Sequence, residues 1–249
     1  MNSESGKEWE NIGESWFGLK YNIDKSVTGI SVSGSNLVAV DRNGSLHILE
    51  NMKSIKSKKT GGGIDVAVGA GMIFIANGSG VEKADNSGEG RTLIPNVYIT
   101  AGITCDSQGN IYGISGNIVK KFDSTGTNVT DVITQGLSGP IDVALDEKNN
   151  FIYVLEQREI KRFTTSGILT ASFSNGAIKA NGIATDELGN VYVSDEGKDY
   201  KTSKIIKFAP GSTNTPLFQN DDMTRRNNNN NNQYDYNSGN YSDIPNYNY

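Results

Sequence analysis

Gly182-Ile183-Ala184-Thr185-Asp186-Glu187-Leu188-Gly189-Asn190-Val191-Tyr192-Val193-Ser194-Asp195 reads as a short strand, a tight polar turn and a second strand, and this pattern returns five times along the chain. The large hydrophobe of the second strand falls at Val38, Phe74, Tyr112, Tyr153 and Tyr192, at intervals of 36, 38, 41 and 39 residues. A unit of this length that recurs so regularly marks a repeat architecture, in which each unit buries its apolar face against the next.

Each repeat divides by its alternation and its turns. Inner strands open at Gly29, Asp65, Gly102, Asp142 and Gly182, and second strands run over 37–40, 72–76, 111–114, 151–155 and 191–194. Third strands are Leu46-His47-Ile48, Val81-Glu82-Lys83, Ile118 to Phe122, Ile160 to Phe163 and Ile205 to Phe208. The last arrives late, because a loop, Glu196 to Ser203, is inserted before it. Weaker fourth strands fit 54–57, 91–94, 129–133 and 169–173. For the fifth repeat two stretches compete, Trp16 to Tyr21 and Pro216-Leu217-Phe218, with pairing of both left open. We expect Trp16 to Tyr21 to pair beside Ile205 to Phe208 and so join the chain ends, because closure removes sheet edges that invite aggregation.

The copies at Gly182 to Asp195 and Gly102 to Tyr112, with the basic-aromatic endings Lys121-Phe122, Arg162-Phe163 and Lys207-Phe208, resemble NHL repeats, a β-propeller family related to gluconolactonase-like proteins. The first two copies depart from the pattern: Ser33 or Gly34, and Gly69, stand where the repeat has aspartate. The expectation is an all-β fold, a single closed propeller of five four-stranded blades over 16–219. A flexible N-terminus, 1–15, precedes it. Six blades stay open if residues 1–25 and the tail add irregular strands. The resemblance implies a scaffold that binds proteins or RNA through a ring face, and it carries no catalytic residue over.

The chain has 249 residues, 35% of them apolar, and a net charge of −5. That balance disfavours a nucleic-acid partner, which usually calls for clustered Lys and Arg. The one cluster, Lys53, Lys56, Lys58 and Lys59, reads as a solvated edge. No run approaches the ~20 apolar residues of a membrane span, and no basic-then-apolar leader opens the sequence. A cytoplasmic location is expected. The lone Cys105 forms no intrachain disulfide and reads as a small buried hydrophobe.

Asp41, Asn77, Ser115, Glu156 and Asp195 stand three places after the anchors, at equivalent corners of one ring face. Their oxygens are of the kind that hold Ca²⁺ or Mg²⁺, but a strand-ending aspartate is explained by turn chemistry, so no metal or cofactor is assigned. Asp41, Asn77, Glu156 and Asp195 remain candidate partner contacts. Asp106, Asp146 and Asp186 precede turns and read as side-chain to backbone acceptors. His47, the only histidine, alternates out of the apolar set and reads as solvent-facing, with no catalytic role.

The inserted loop offers Tyr200, since binding determinants concentrate on loops held by rigid scaffolds. From residue 220 the composition changes: an unbroken Asn227 to Asn232 run precedes Tyr234, Tyr236, Tyr241, Tyr247 and Tyr249. Such a segment buries too little apolar surface to offset its ordering entropy, so 220–249 is expected to be a disordered, low-complexity tail, and its tyrosines are candidate contacts. The leading function is a non-catalytic interaction or assembly scaffold, with a protein partner or self-assembly. A structural component of a larger particle or filament and a metal-dependent lactonase-like hydrolase are the alternatives.

Overall fold

The computed structural model describes residues 27–33, 36–41, 43, 45–50, 54–59, 63–77, 80–198, 204–209 and 216–219. Every regular element among them is a strand. Blade 1 is β1 (Val27–Ser33), β2 (Asn36–Asp41), β3 (Ser45–Glu50) and β4 (Ser54–Lys59). Blade 2 is β5 (Asp65–Gly69), β6 (Met72–Asn77), β7 (Gly80–Asp85) and β8 (Thr92–Ile94), and blade 3 is β9 (Ile103–Cys105), β10 (Ile111–Ser115), β11 (Ile118–Phe122) and β12 (Val129–Ile133). Blade 4 is β13 (Asp142–Asp146), β14 (Phe151–Leu155), β15 (Glu159–Thr164) and β16 (Leu169–Ser174). Blade 5 is β17 (Ala180–Thr185), β18 (Val191–Asp195), β19 (Lys204–Phe208) and β20 (Pro216–Gln219). Each blade is an antiparallel meander in chain order, and the five are arranged as a propeller.

Period-2 alternation explains how the blades stack. In blades 2 to 4 one face of the second strand enters the core shared with the following blade and the other face the core shared with the preceding one, while blades 1 and 5 each contribute one such face. Four apolar clusters result. Val38, Val40, Leu46 and Ile48 of blade 1 meet Val66, Ile73 and Ile75 of blade 2. Phe74 of blade 2 meets Ile103 and Phe122 of blade 3, Tyr112 of blade 3 meets Val143 and Phe163 of blade 4, and Tyr153 of blade 4 meets Ile183 and Phe208 of blade 5.

The basic-aromatic endings have a division of labour. Phe122, Phe163 and Phe208 fill the interblade cores. The basic neighbours lie over aromatic rings of the second strand, Lys121 on Tyr112 at 5.0 Å, Arg162 on Phe151 at 4.6 Å and Lys207 on Tyr192 at 5.4 Å. Such cation–π contacts screen ring faces that would otherwise meet water.

One expectation is corrected here. The edge of β19 is taken by β20, with Lys207 opposite Phe218, while β18 holds the other edge. Pro216 to Phe218 therefore supplies the fourth strand. No edge of β19 is left for Trp16 to Tyr21, which lies outside the described residues.

Candidate functional site

The corner residues are held inside the turns. Asp41 is buried: its Oδ1 accepts the N–H groups of Asn43 and Ser45, each at 2.9 Å, and its Oδ2 lies 2.9 Å from His47 Nε2. Buried Asn77 donates to Glu82 Oε1 at 2.9 Å. Glu156 accepts the Ser138 N–H at 2.7 Å and pairs with Lys161 at 2.9 Å. Asp195 accepts three backbone N–H groups, from Lys179 at 2.7 Å, Gly197 at 2.9 Å and Ile178 at 2.9 Å. As direct partner contacts these four are withdrawn: buried polar groups with internal hydrogen bonds are structural. His47 is corrected likewise, from solvent-facing to buried against Asp41.

The turn aspartates behave as read. Asp106 Oδ1 accepts from Gln108 and Asn110, Asp186 Oδ1 from Leu188 and Asn190, and Asp146 Oδ1 from Asn149. Cys105 is half-buried, and its thiol is pushed up to about 12 by burial and then by the charges of Asp106 and Glu147, which keeps it protonated and inert.

What Asp195 does is position the base of the inserted loop. Its carboxylate gathers the N–H groups of Ile178, Lys179 and Gly197, and the Glu196 N–H donates to Lys179 O at 3.0 Å, so the β16–β17 connection and the start of the loop form one unit. Although burial works against the charge, these N–H donors outweigh it and hold the Asp195 carboxyl below its usual range. Beside this base Ile178 is 52% exposed, and Tyr98, in the connection between blades 2 and 3 at the same end of the propeller, is 66% exposed. Tyr200 and the tail tyrosines Tyr234, Tyr236, Tyr241, Tyr247 and Tyr249 lie outside the described residues.

The sequence reading missed the channel. A cavity of about 960 Å³ is lined by all five inner strands, with Asp65 and Asp142 on its wall. Asp65 Oδ1 accepts its neighbour Val66 N–H at 2.8 Å, and its Oδ2 crosses to the Ile103 N–H of blade 3 at 2.9 Å. Asp142 repeats this, with Val143 at 2.8 Å and, across the interface, Ile183 of blade 5 at 2.8 Å. Both residues line the cavity, and both oxygens of each carboxyl are engaged by backbone N–H groups of the inner strands. Burial, and then the neighbouring Asp142, push Asp65 well up. Burial likewise pushes Asp142 up, to about 7, with the two N–H donors opposing. Two carboxyls fall short of the six to eight oxygens that hold calcium, and among the described residues no group of three or more His, Cys, Asp or Glu is placed to hold a metal.

The signal for this pair was the alternation at the first inner-strand position: Gly29, Asp65, Gly102, Asp142, Gly182. Each aspartate fills the space that the preceding blade's glycine leaves. A Cβ on Gly102 would stand 1.9 Å from Asp142 Oδ1, and one on Gly29 would stand 2.2 Å from Asp65 Oδ1.

The fold has counterparts among solved structures. A nidogen/laminin complex matches with a TM-score of 0.67 and 15% identity, over 78% of this chain and 80% of that one. The fold is a β-propeller. A catalytically inactive virginiamycin B lyase from Staphylococcus aureus, solved with quinupristin, matches with a TM-score of 0.56 and 17% identity, over 76% of this chain and 68% of that one. No family model and no curated protein matches the sequence. Among the described residues no helix is long and apolar enough to cross a membrane.

Proposed function

We propose that this propeller is a non-catalytic, NHL-like protein-interaction scaffold that meets its partner with the end of the ring carrying the 196–203 loop. One observation carries the reading: Ile178 is half-exposed on a connection that the Asp195 carboxylate holds rigid at the loop's base. An apolar side chain on a preorganised backbone costs little ordering entropy on binding. Exposed Tyr98 adds an aromatic group at the same end, and aromatic residues are enriched in interface hot spots. Tyr200 of the inserted loop and the tail tyrosines are further contacts that this reading proposes from the sequence.

The likeness to a propeller crystallised as a nidogen/laminin complex is consistent with protein binding, whereas the lyase likeness brings enzymes into the same fold. Against catalysis stands His47, whose ring is engaged with Asp41 inside blade 1. A cytoplasmic location belongs to the same reading, on the strength of the lone cysteine. The test is affinity capture with the full chain and with a chain whose five tail tyrosines are serine. Retention of a protein partner by both places the contact on the propeller; loss with the serine chain, at unchanged melting temperature, places it on the tail. Turnover of lactones without any captured protein overturns the reading.

A further inference from the structure

Four interblade interfaces each carry an apolar cluster, but the faces that blade 5 and blade 1 turn toward one another share none among the described residues. On the blade 1 side Ile30 and Val32 are each 62% exposed, whereas Val66, Ile103, Val143 and Ile183, at the position of Ile30 in the other blades, are all buried. On the blade 5 side the anchor Tyr192 is half-exposed, while Val38, Phe74, Tyr112 and Tyr153 are buried. The central cavity extends into this seam, reaching Tyr192, Ser194 and Ile205.

Farther from the axis the same side of blade 1 is covered. Ala39 and Leu49 alternate with Val38, Val40 and Ile48, so they face the seam; they are 1% and 3% exposed yet join none of the four clusters. Leu49 lies opposite Leu37 on this face.

The geometry points to the chain's own Trp16 to Tyr21 as the apolar strip that docks in this seam, packed between the face of blade 5 and that of blade 1. This is face packing, distinct from pairing on the edge of β19, which β20 occupies. The segment carries Trp16, Phe17, Leu19 and Tyr21, the densest set of large apolar side chains outside the described residues. It is also tethered at the right place. Residues 22–26 join it to Val27, which itself lines the cavity, and five extended residues reach up to about 17 Å. That tether confines the strip near the seam at high effective concentration, which a free partner strand lacks.

Trp9 and Trp16 are the two tryptophans of the chain, so a Trp9→Phe protein reports on Trp16 alone. Its emission should be blue-shifted and several-fold less quenched by acrylamide than in a peptide of residues 9–26. Ile30→Asp with Val32→Asp should restore full quenching, and Ile168→Asp, at an exposed turn of blade 4, should not. Quenching as free as in the peptide, or protection that survives the seam substitutions, overturns the proposal. Should the double variant fail to fold, a benzophenone side chain in place of Phe17 decides on the otherwise native chain. Intramolecular crosslinks to peptides containing Ile30 and Val32, or Tyr192 and Ile205, support it. Crosslinks elsewhere, crosslinks only between two copies, or none, contradict it.

Discussion

The carboxylate of Asp142 accepts the backbone N–H of Ile183 at 2.8 Å, and this bond, with the Thr185 hydroxyl donating to Leu145 O at 2.8 Å, ties the inner strand of blade 4 to that of blade 5. Removing the acceptor strands the N–H groups of both Val143 and Ile183 at the centre of the ring. An unsatisfied buried donor costs roughly 1–3 kcal/mol. Asp142→Ala should therefore lower the melting temperature by several degrees in calorimetry, with Asp65→Ala behaving similarly through Ile103. Unchanged melting would show that water replaces the carboxylate.

The same pair sets a pH dependence. Both carboxyls hold their proton more tightly in the folded chain than at the unfolded value of about 3.9. Their contribution is thus fully present below about pH 4 and is lost as pH rises through the folded value, about 7 for Asp142. Asp195, held low, acts in the opposite sense, contributing above about pH 4 and losing its contribution as pH falls further. Thermal melts should decline between about pH 4 and 7, and Asp142→Asn should flatten that decline. A slope unaffected by the substitution would contradict the assignment.

Gly102 leaves no room for a side chain. Its Cβ would lie 2.7 Å from the backbone Cα of Asp142 as well as 1.9 Å from Oδ1, so the inner strands of blades 3 and 4 would have to part. Gly102→Ala should destabilise by on the order of 1–3 kcal/mol. Equilibrium denaturation checks it, and Gly116→Ala, with open space but a positive φ, gives a strain-only comparison.

How far the sequence revealed this structure depends on which interactions are local. The second strands and the Asp106 and Asp186 turns were legible, because apolar alternation and an aspartate before a turn are encoded within a few residues. Asp65 and Asp142 were not. At the head of a strand each looks like a turn residue, and its role depends on a blade about forty residues away. His47 was misread for a related reason: alternation places it off the blade 1–blade 2 core, but the other side of blade 1 is covered too. The corner aspartates were located correctly, but burial decided their role.

Asp195 should control the order of the loop base. Asp195→Ala removes the acceptor of three N–H groups, so hydrogen exchange at Ile178, Lys179 and Gly197 should accelerate at least tenfold, about 1.4 kcal/mol of local opening, while the inner strands stay protected. Uniform acceleration across all blades would mean global destabilisation instead.

The central claim, that the loop-bearing end of the propeller binds protein, is tested most directly by quantitative affinity capture with the full chain and with an Ile178→Asp, Tyr200→Ala variant of equal melting temperature. The account predicts a defined protein partner on the full chain and at least a tenfold loss on the variant. Equal capture by both, or no protein captured by either, would contradict it.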